Sequence, residues 1–194
     1  MFIDFEKKYI FIRPPKCATT SIFHCLWEGK KINKLVYNNM HFAENAMGKM
    51  HSPDMNFRRT KNHNLHPTAE EIKELFFSEE YFKSFKLIAS VRNPYDHALS
   101  WYLFQKSMVT RRRKQKNDFR FFLNNPIRWS AQVFFSFHSE WNFTIFLKFI
   151  YTPYTKWLTI NGKFVIDTCL KVENLQNDFA EFAKEYKLGS TSLG

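Results

Sequence analysis

The stretch "YIFIRPPKCATTSIFHCLW", residues 9–27, decides how the rest of the chain is read. Tyr9 to Ile12 is a short apolar run, the signature of a buried strand, and a helix is expected from Thr20 onward. Between them lies Arg13-Pro-Pro-Lys-Cys-Ala-Thr-Thr20, a basic, hydroxyl-rich turn without glycine. A strand that hands over to a helix presents unbonded backbone N–H groups and the positive end of the helix dipole, and so suits an anion. Lys16, Thr19, Thr20 and Ser21 add a mobile cation and three hydroxyls at that place.

Working outward, the same grammar recurs. Lys86-Leu-Ile-Ala-Ser-Val91 reads as a second strand, ends in Arg92-Asn-Pro-Tyr-Asp96, and passes into a helix over His97–Phe104. Arg92 offers a planar fork for a phosphate dianion, and Ser100, about two turns into that helix, a further donor. Ahead of this strand, Thr68-Ala-Glu-Glu71 has the pattern of a capping box, followed by Ile72, Leu75 and Phe76 at helical spacing. Residues 33–66 form a polar connection, and 119–151 carry further helical segments. Trp157 to Ile166, turning at Asn161-Gly162, reads as a hairpin, and Thr168–Val172 as a third strand. A helix from Asn174 then presents Leu175, Phe179, Phe182 and Tyr186 on one face. Strands alternating with helices predict a mainly parallel sheet covered on both faces. Ligands of such sheets sit at the carboxyl ends of the strands, where both basic turns fall.

Composition narrows the classes. The 194 residues fit a single domain spanning the chain, and 44% hydrophobic residues with 23 phenylalanines supply a core. The opening MFIDFEKKYIFI lacks the apolar centre of a signal peptide, and Phe134–Tyr151 is too broken by polar residues for a membrane span. Cys17, Cys25 and Cys169 lack metal-ligand spacing and cannot all pair, so a reducing, cytoplasmic setting is expected. Cys17 has no evident base beside it and reads as a small loop residue rather than a nucleophile. The net charge is +11, of which Lys106–Arg120 contributes +6, either a solvated face or a field that attracts an anion.

Taken together, "FIRPPKCATTSIF" resembles the 5′-phosphosulfate loop of sulfotransferases, and "LIASVRNPYDHALSWYLF" their 3′-phosphate motif. The carbohydrate-type sulfotransferases are the nearest likeness, and "LHPTAEEIKELF" and "DTCLKVENLQNDFAEFAKEYKLG" fit the same pattern. The resemblance implies a P-loop-like three-layer α/β/α fold with a central, mainly parallel sheet. It implies transfer of a sulfuryl group from 3′-phosphoadenosine 5′-phosphosulfate (PAPS) to a hydroxyl of an acceptor, a carbohydrate in this branch. Lys16 would stabilise the leaving oxygen, and Arg13, Pro15, Cys17, Ala18, Thr19, Thr20 and Ser21 would form the loop around the 5′-phosphate. Arg92 and Ser100 would hold the 3′-phosphate, and no metal is implied.

A general base must take the acceptor's proton. His66, just ahead of the helix at Thr68, is the first candidate, with Glu44, His51 and His63 as rivals. Glu173, at the end of the third strand, reads as a cap or ion-pair partner. Other readings are a P-loop-like nucleotide kinase, a basic nucleic-acid-binding module, or a silent relative that binds a nucleotide or glycan without turnover. The kinase lacks its G-x-x-x-x-G-K-[ST] signature, and the nucleic-acid module leaves both strand-end turns unexplained.

Overall fold

A computed structural model describes residues 1–27, 34–36, 66–76, 78–114 and 143–188. The packing falls into two compact units, one of Met1–Asn93 with Tyr154–Gly194 and one of Pro94–Pro153.

The first unit is built on a five-stranded sheet in which Lys34–Val36, Phe2–Asp4, Tyr9–Ile12, Lys86–Val91 and Thr168–Lys171 lie side by side in that order. Its strands are β1 (Phe2–Asp4), β2 (Tyr9–Ile12), β3 (Lys34–Val36), β4 (Lys86–Val91) and β7 (Thr168–Lys171). β2 pairs parallel with β4 and β4 with β7, whereas β1 runs antiparallel to both of its neighbours. Four of the five strands therefore point the same way, and the sheet is mainly parallel, as expected. The sequence reading anticipated β2, β4 and β7 but not β1 and β3, three-residue strands too short to carry a period-2 signal.

Apolar residues along β2 and β4 are continuous because both faces are buried. Tyr9, Phe11 and Ile88 point to one side, where they meet Ile22, Phe23 and Leu26 of α1 (Thr19–Trp27) and Phe179 and Phe182 of α6 (Leu175–Glu185). Ile10, Ile12, Leu87 and Ala89 point to the other. There they meet Ile72 of α2 (Ala69–Lys73) and Phe82 of α3 (Glu79–Lys83). Helices thus cover both faces of the sheet. The face of α6 is the one its spacing predicted, since Leu175, Phe179, Phe182 and Tyr186 all pack into the same core.

The local signals explain the ends of these elements. Thr68 accepts a hydrogen bond from the Glu71 N–H at 3.1 Å, and Glu71 accepts one from the Thr68 N–H at 2.7 Å, which completes the capping box at α2. Ser78 caps α3 in the same manner, accepting from the Tyr81 N–H at 3.2 Å. The predicted hairpin is β5 (Thr159–Ile160) and β6 (Lys163–Phe164), joined by Asn161 and Gly162. Both turn residues have positive φ, 51° and 73°, the geometry that a tight hairpin turn demands.

The second unit contains α4 (Pro94–Lys114) and α5 (Phe143–Phe149). α4 begins three residues earlier and continues ten residues later than the expected His97–Phe104. Pro94 suits the first turn of a helix, where its missing N–H costs nothing. Trp101, Tyr102, Ile150 and Tyr151 gather round the buried Phe146. His97 is buried, with Nδ1 3.0 Å from the Tyr151 hydroxyl. The expected helical segments of 119–142 lie outside the described residues, as does most of the 33–66 connection. The side chains of Arg111, Arg112, Arg113 and Lys114 do so as well. Among the described residues, no helix is long and apolar enough to cross a membrane.

Candidate functional site

The parallel strands β2, β4 and β7 lie side by side, so the residues that follow them share one edge of the sheet. The turn after β2 carries Lys16, the turn after β4 carries Arg92, and β7 is followed by Glu173. Sequence places these residues about 80 positions apart, and the strand order brings them to one edge.

The first turn has an unusual backbone. Lys16 and Ala18 adopt positive φ, 64° and 52°, with Cys17 between them outside the left-handed region. Each such residue with a Cβ costs on the order of 1–2 kcal/mol, and such strain gathers where surroundings enforce it, often at ligand clamps. A turn that alternates handedness ahead of a helix aims successive N–H groups at one spot, a concavity suited to an anion. α1 begins at the next residue, Thr19.

The side chains divide between lining and support. Lys16, Pro15 and Ala18 are half-buried, while Thr20 and Ser21 are exposed in the first turn of α1. Thr19 and Cys17 are buried beneath them. Burial pushes the Cys17 thiol up to about 12, opposed by Arg92 and reinforced by Glu173, so the group stays protonated at neutral pH and packs the loop. Arg13 is also buried, its guanidinium 4.2 Å from the centre of the Phe23 ring. Burial lowers its pKa to about 10.

Arg92 donates from Nη1 to the Lys16 carbonyl at 3.4 Å, so the two basic turns touch. Burial first, and then the Arg92 charge, lowers the pKa of Lys16. Two cations held close together in partial burial favour an anion between them. Glu173 accepts a short 2.6 Å bond from the Asn93 N–H and so ties the end of β7 to the turn after β4. That bond, foremost, keeps its carboxyl below the ordinary carboxylate range. The sequence predicts a cap or an ion-pair partner at Glu173; its bond instead reaches across to the Asn93 N–H, in the turn after β4.

His66 reaches the loop from the other side, its Nδ1 2.7 Å from the Arg13 carbonyl oxygen. A carbonyl can only accept, so Nδ1 carries the proton and, in the neutral ring, Nε2 carries the lone pair. The His66 carbonyl in turn accepts from the Trp157 indole N–H at 2.7 Å. Trp157 has no periodic or motif signal in the sequence, and its role emerges only from the fold. Ser100 lies on α4, in the second unit. Glu44, His51 and His63 lie outside the described residues. Among the described residues, no group of three or more His, Cys, Asp or Glu side chains is placed to hold a metal ion.

Compared with protein-family models, with curated proteins and with solved structures, the chain matches none.

Proposed function

We propose that this chain is a sulfotransferase of P-loop-like, three-layer α/β/α architecture that uses PAPS as donor and a carbohydrate hydroxyl as acceptor. The observation that carries the reading is the meeting of the two basic turns. Lys16 and Arg92 follow neighbouring parallel strands and touch through the Arg92–Lys16 carbonyl bond, beside a strained loop that opens α1. A bisphosphorylated nucleotide needs two such grips, one for each phosphate.

The donor supplies an activated sulfuryl group. The backbone N–H groups of the loop, with the exposed Thr20 and Ser21 above the buried Thr19, suit its 5′-phosphate, and Arg92 its 3′-phosphate. Lys16 offsets negative charge on the oxygen that leaves sulfur. His66, with Nδ1 committed to the Arg13 carbonyl, accepts the acceptor's proton at Nε2. Cys17 and Arg13 shape the loop from beneath rather than touching the reacting atoms.

The test is a thermal-shift comparison of adenosine 3′,5′-bisphosphate with ATP and magnesium, followed by sulfuryl-transfer assays on glycans. At about 100 times its dissociation constant the bisphosphate should stabilise the fold by roughly 2.7 kcal/mol. That corresponds to about 2–4 °C per kcal/mol at this chain length. A shift with ATP–magnesium alone would favour a nucleotide kinase. A shift with bisphosphate but no transfer to any glycan would leave a nucleotide-binding relative without turnover.

A further inference from the structure

The first unit contains a second basic site, at the opposite end of the sheet from Lys16. A cavity of about 610 Å³ opens beside the start of β4, within the size range of small-ligand sites. Four lysines from four different elements converge on it: Lys73 at the end of α2, Lys83 at the end of α3, Lys86 opening β4, and Lys163 on β6. β4 is six residues long, so roughly 17–20 Å of strand separates this end from Arg92.

Two carboxylates line the same cavity, and both are occupied. Glu79 is shared by Lys83 at 3.1 Å and Lys73 at 3.3 Å, which together hold it ionised below the usual carboxylate range. Asp167 takes Lys86 at 3.3 Å through one oxygen and the Leu87 N–H at 2.8 Å through the other. Lys163 has no ion pair among the described residues. Lys73 and Lys83 also complement the negative ends of their helices, which accounts for them without a ligand. Lys86 is accounted for by its pair with Asp167, which leaves Lys163 as the lysine with no such reason to face this space. Among the described residues, four lysines against two carboxylates leave a formal charge of +2 beside Phe82, Phe85 and Leu87.

We propose that this cavity binds a sugar-sized anion carrying two phosphate or sulfate groups. Lysines are mobile point charges suited to such oxyanions; two singly charged groups balance the residual charge, and more highly charged groups take over lysines now paired with Glu79 and Asp167. The apolar side chains beside it suit the C–H face of a sugar ring. These ion pairs are largely solvent-exposed and therefore weak, so exchanging a carboxylate for a ligand oxyanion costs little. The lysines cluster at one place rather than forming the extended basic stripe that marks a nucleic-acid surface. The site stands whether or not the Lys16 loop binds a nucleotide.

The test titrates the full chain with glucose 1,6-bisphosphate, with a disulfated disaccharide and with neutral glucose, read by calorimetry at low and at physiological salt. Binding of either anion, weakened by salt and absent for glucose, is expected. Lys83→Glu with Lys163→Glu should weaken it at least tenfold, and Lys163→Ala alone, on an exposed hairpin, about threefold. Arg92→Ala, at the far end of β4, should leave it within twofold. Whichever of phosphate or sulfate binds more tightly identifies the source. No binding of either anion, equal binding of glucose, or a loss confined to Arg92→Ala would overturn the proposal.

Discussion

Arg92 has two tasks that a single substitution can separate. It donates to the Lys16 carbonyl and is proposed to grip a 3′-phosphate. Arg92→Ala should weaken binding of adenosine 3′,5′-bisphosphate by about 10- to 150-fold, the loss of a charge-assisted contact of roughly 1.5–3 kcal/mol. Adenosine 5′-phosphosulfate, which lacks the 3′-phosphate, should lose much less. Equal losses for the two ligands would assign Arg92 to holding the loop alone. Trp157 is the other residue whose task is specific. Its indole N–H holds the His66 carbonyl, so Trp157→Phe keeps an aromatic ring there while removing the donor. His66→Ala should lower kcat by about 100-fold or more, with bisphosphate affinity preserved. Trp157→Phe should lower kcat by about tenfold, and should add nothing in a His66→Ala background, because both act through one ring. A further drop in the double variant would place the effect of Trp157 elsewhere.

Among the elements, α2 delivers His66. The helix is five residues long, too short to hold its shape without its caps and its packing. The Thr68–Glu71 capping box supplies one support, and the burial of Ala69 and Ile72 the other. Thr68→Ala removes the hydroxyl that satisfies the Glu71 N–H and should cost about 1 kcal/mol in urea unfolding. Thr68→Ser, which keeps the acceptor, should recover most of that loss, whereas equal losses for the two would mean that the cap contributes nothing. The loop after β2 is the opposite case, an element held in a strained form. Left-handed backbone at Lys16 and Ala18 is enforced by the buried Cys17, the start of α1 and the Arg92 contact.

Across the molecule, the sheet separates two apolar cores, and the α1–α6 side is dominated by aromatic rings. Phe182 is 2% exposed, with its ring centroid 4.9 Å from that of Tyr186 and 5.5 Å from that of Tyr9. Phe182→Ala should therefore cost about 3–5 kcal/mol, a large share of the stability of a chain this size. A loss below about 1 kcal/mol in urea unfolding would show that the helix α6 does not bear on this core. The same sheet sets the two ends apart. Lys16, Arg92 and Glu173 follow the carboxyl ends of parallel strands, and the four-lysine cavity lies where β4 begins.

The sequence alone determined the elements whose signals are local. The runs Tyr9–Ile12 and Leu87–Ala89 are continuously apolar because both faces are buried, the capping box needs only Thr68 and Glu71, and the hairpin turn needs only Asn161-Gly162. The two basic strand-end turns were legible for the same reason, since a strand, a cation and a helix start are neighbours in the chain. β1 and β3 escaped because three residues cannot establish a period. Tertiary structure decided that Lys16, Arg92 and Glu173 share one edge, because strand order is set by long-range pairing and leaves no local trace. It also decided that Trp157 holds His66, that Glu173 ties down the Asn93 turn, and that four lysines face one cavity. The first two contacts, and the arrival of Lys163 beside Lys73, Lys83 and Lys86, join residues far apart in sequence, and their meeting depends on how the helices and the hairpin pack against the sheet.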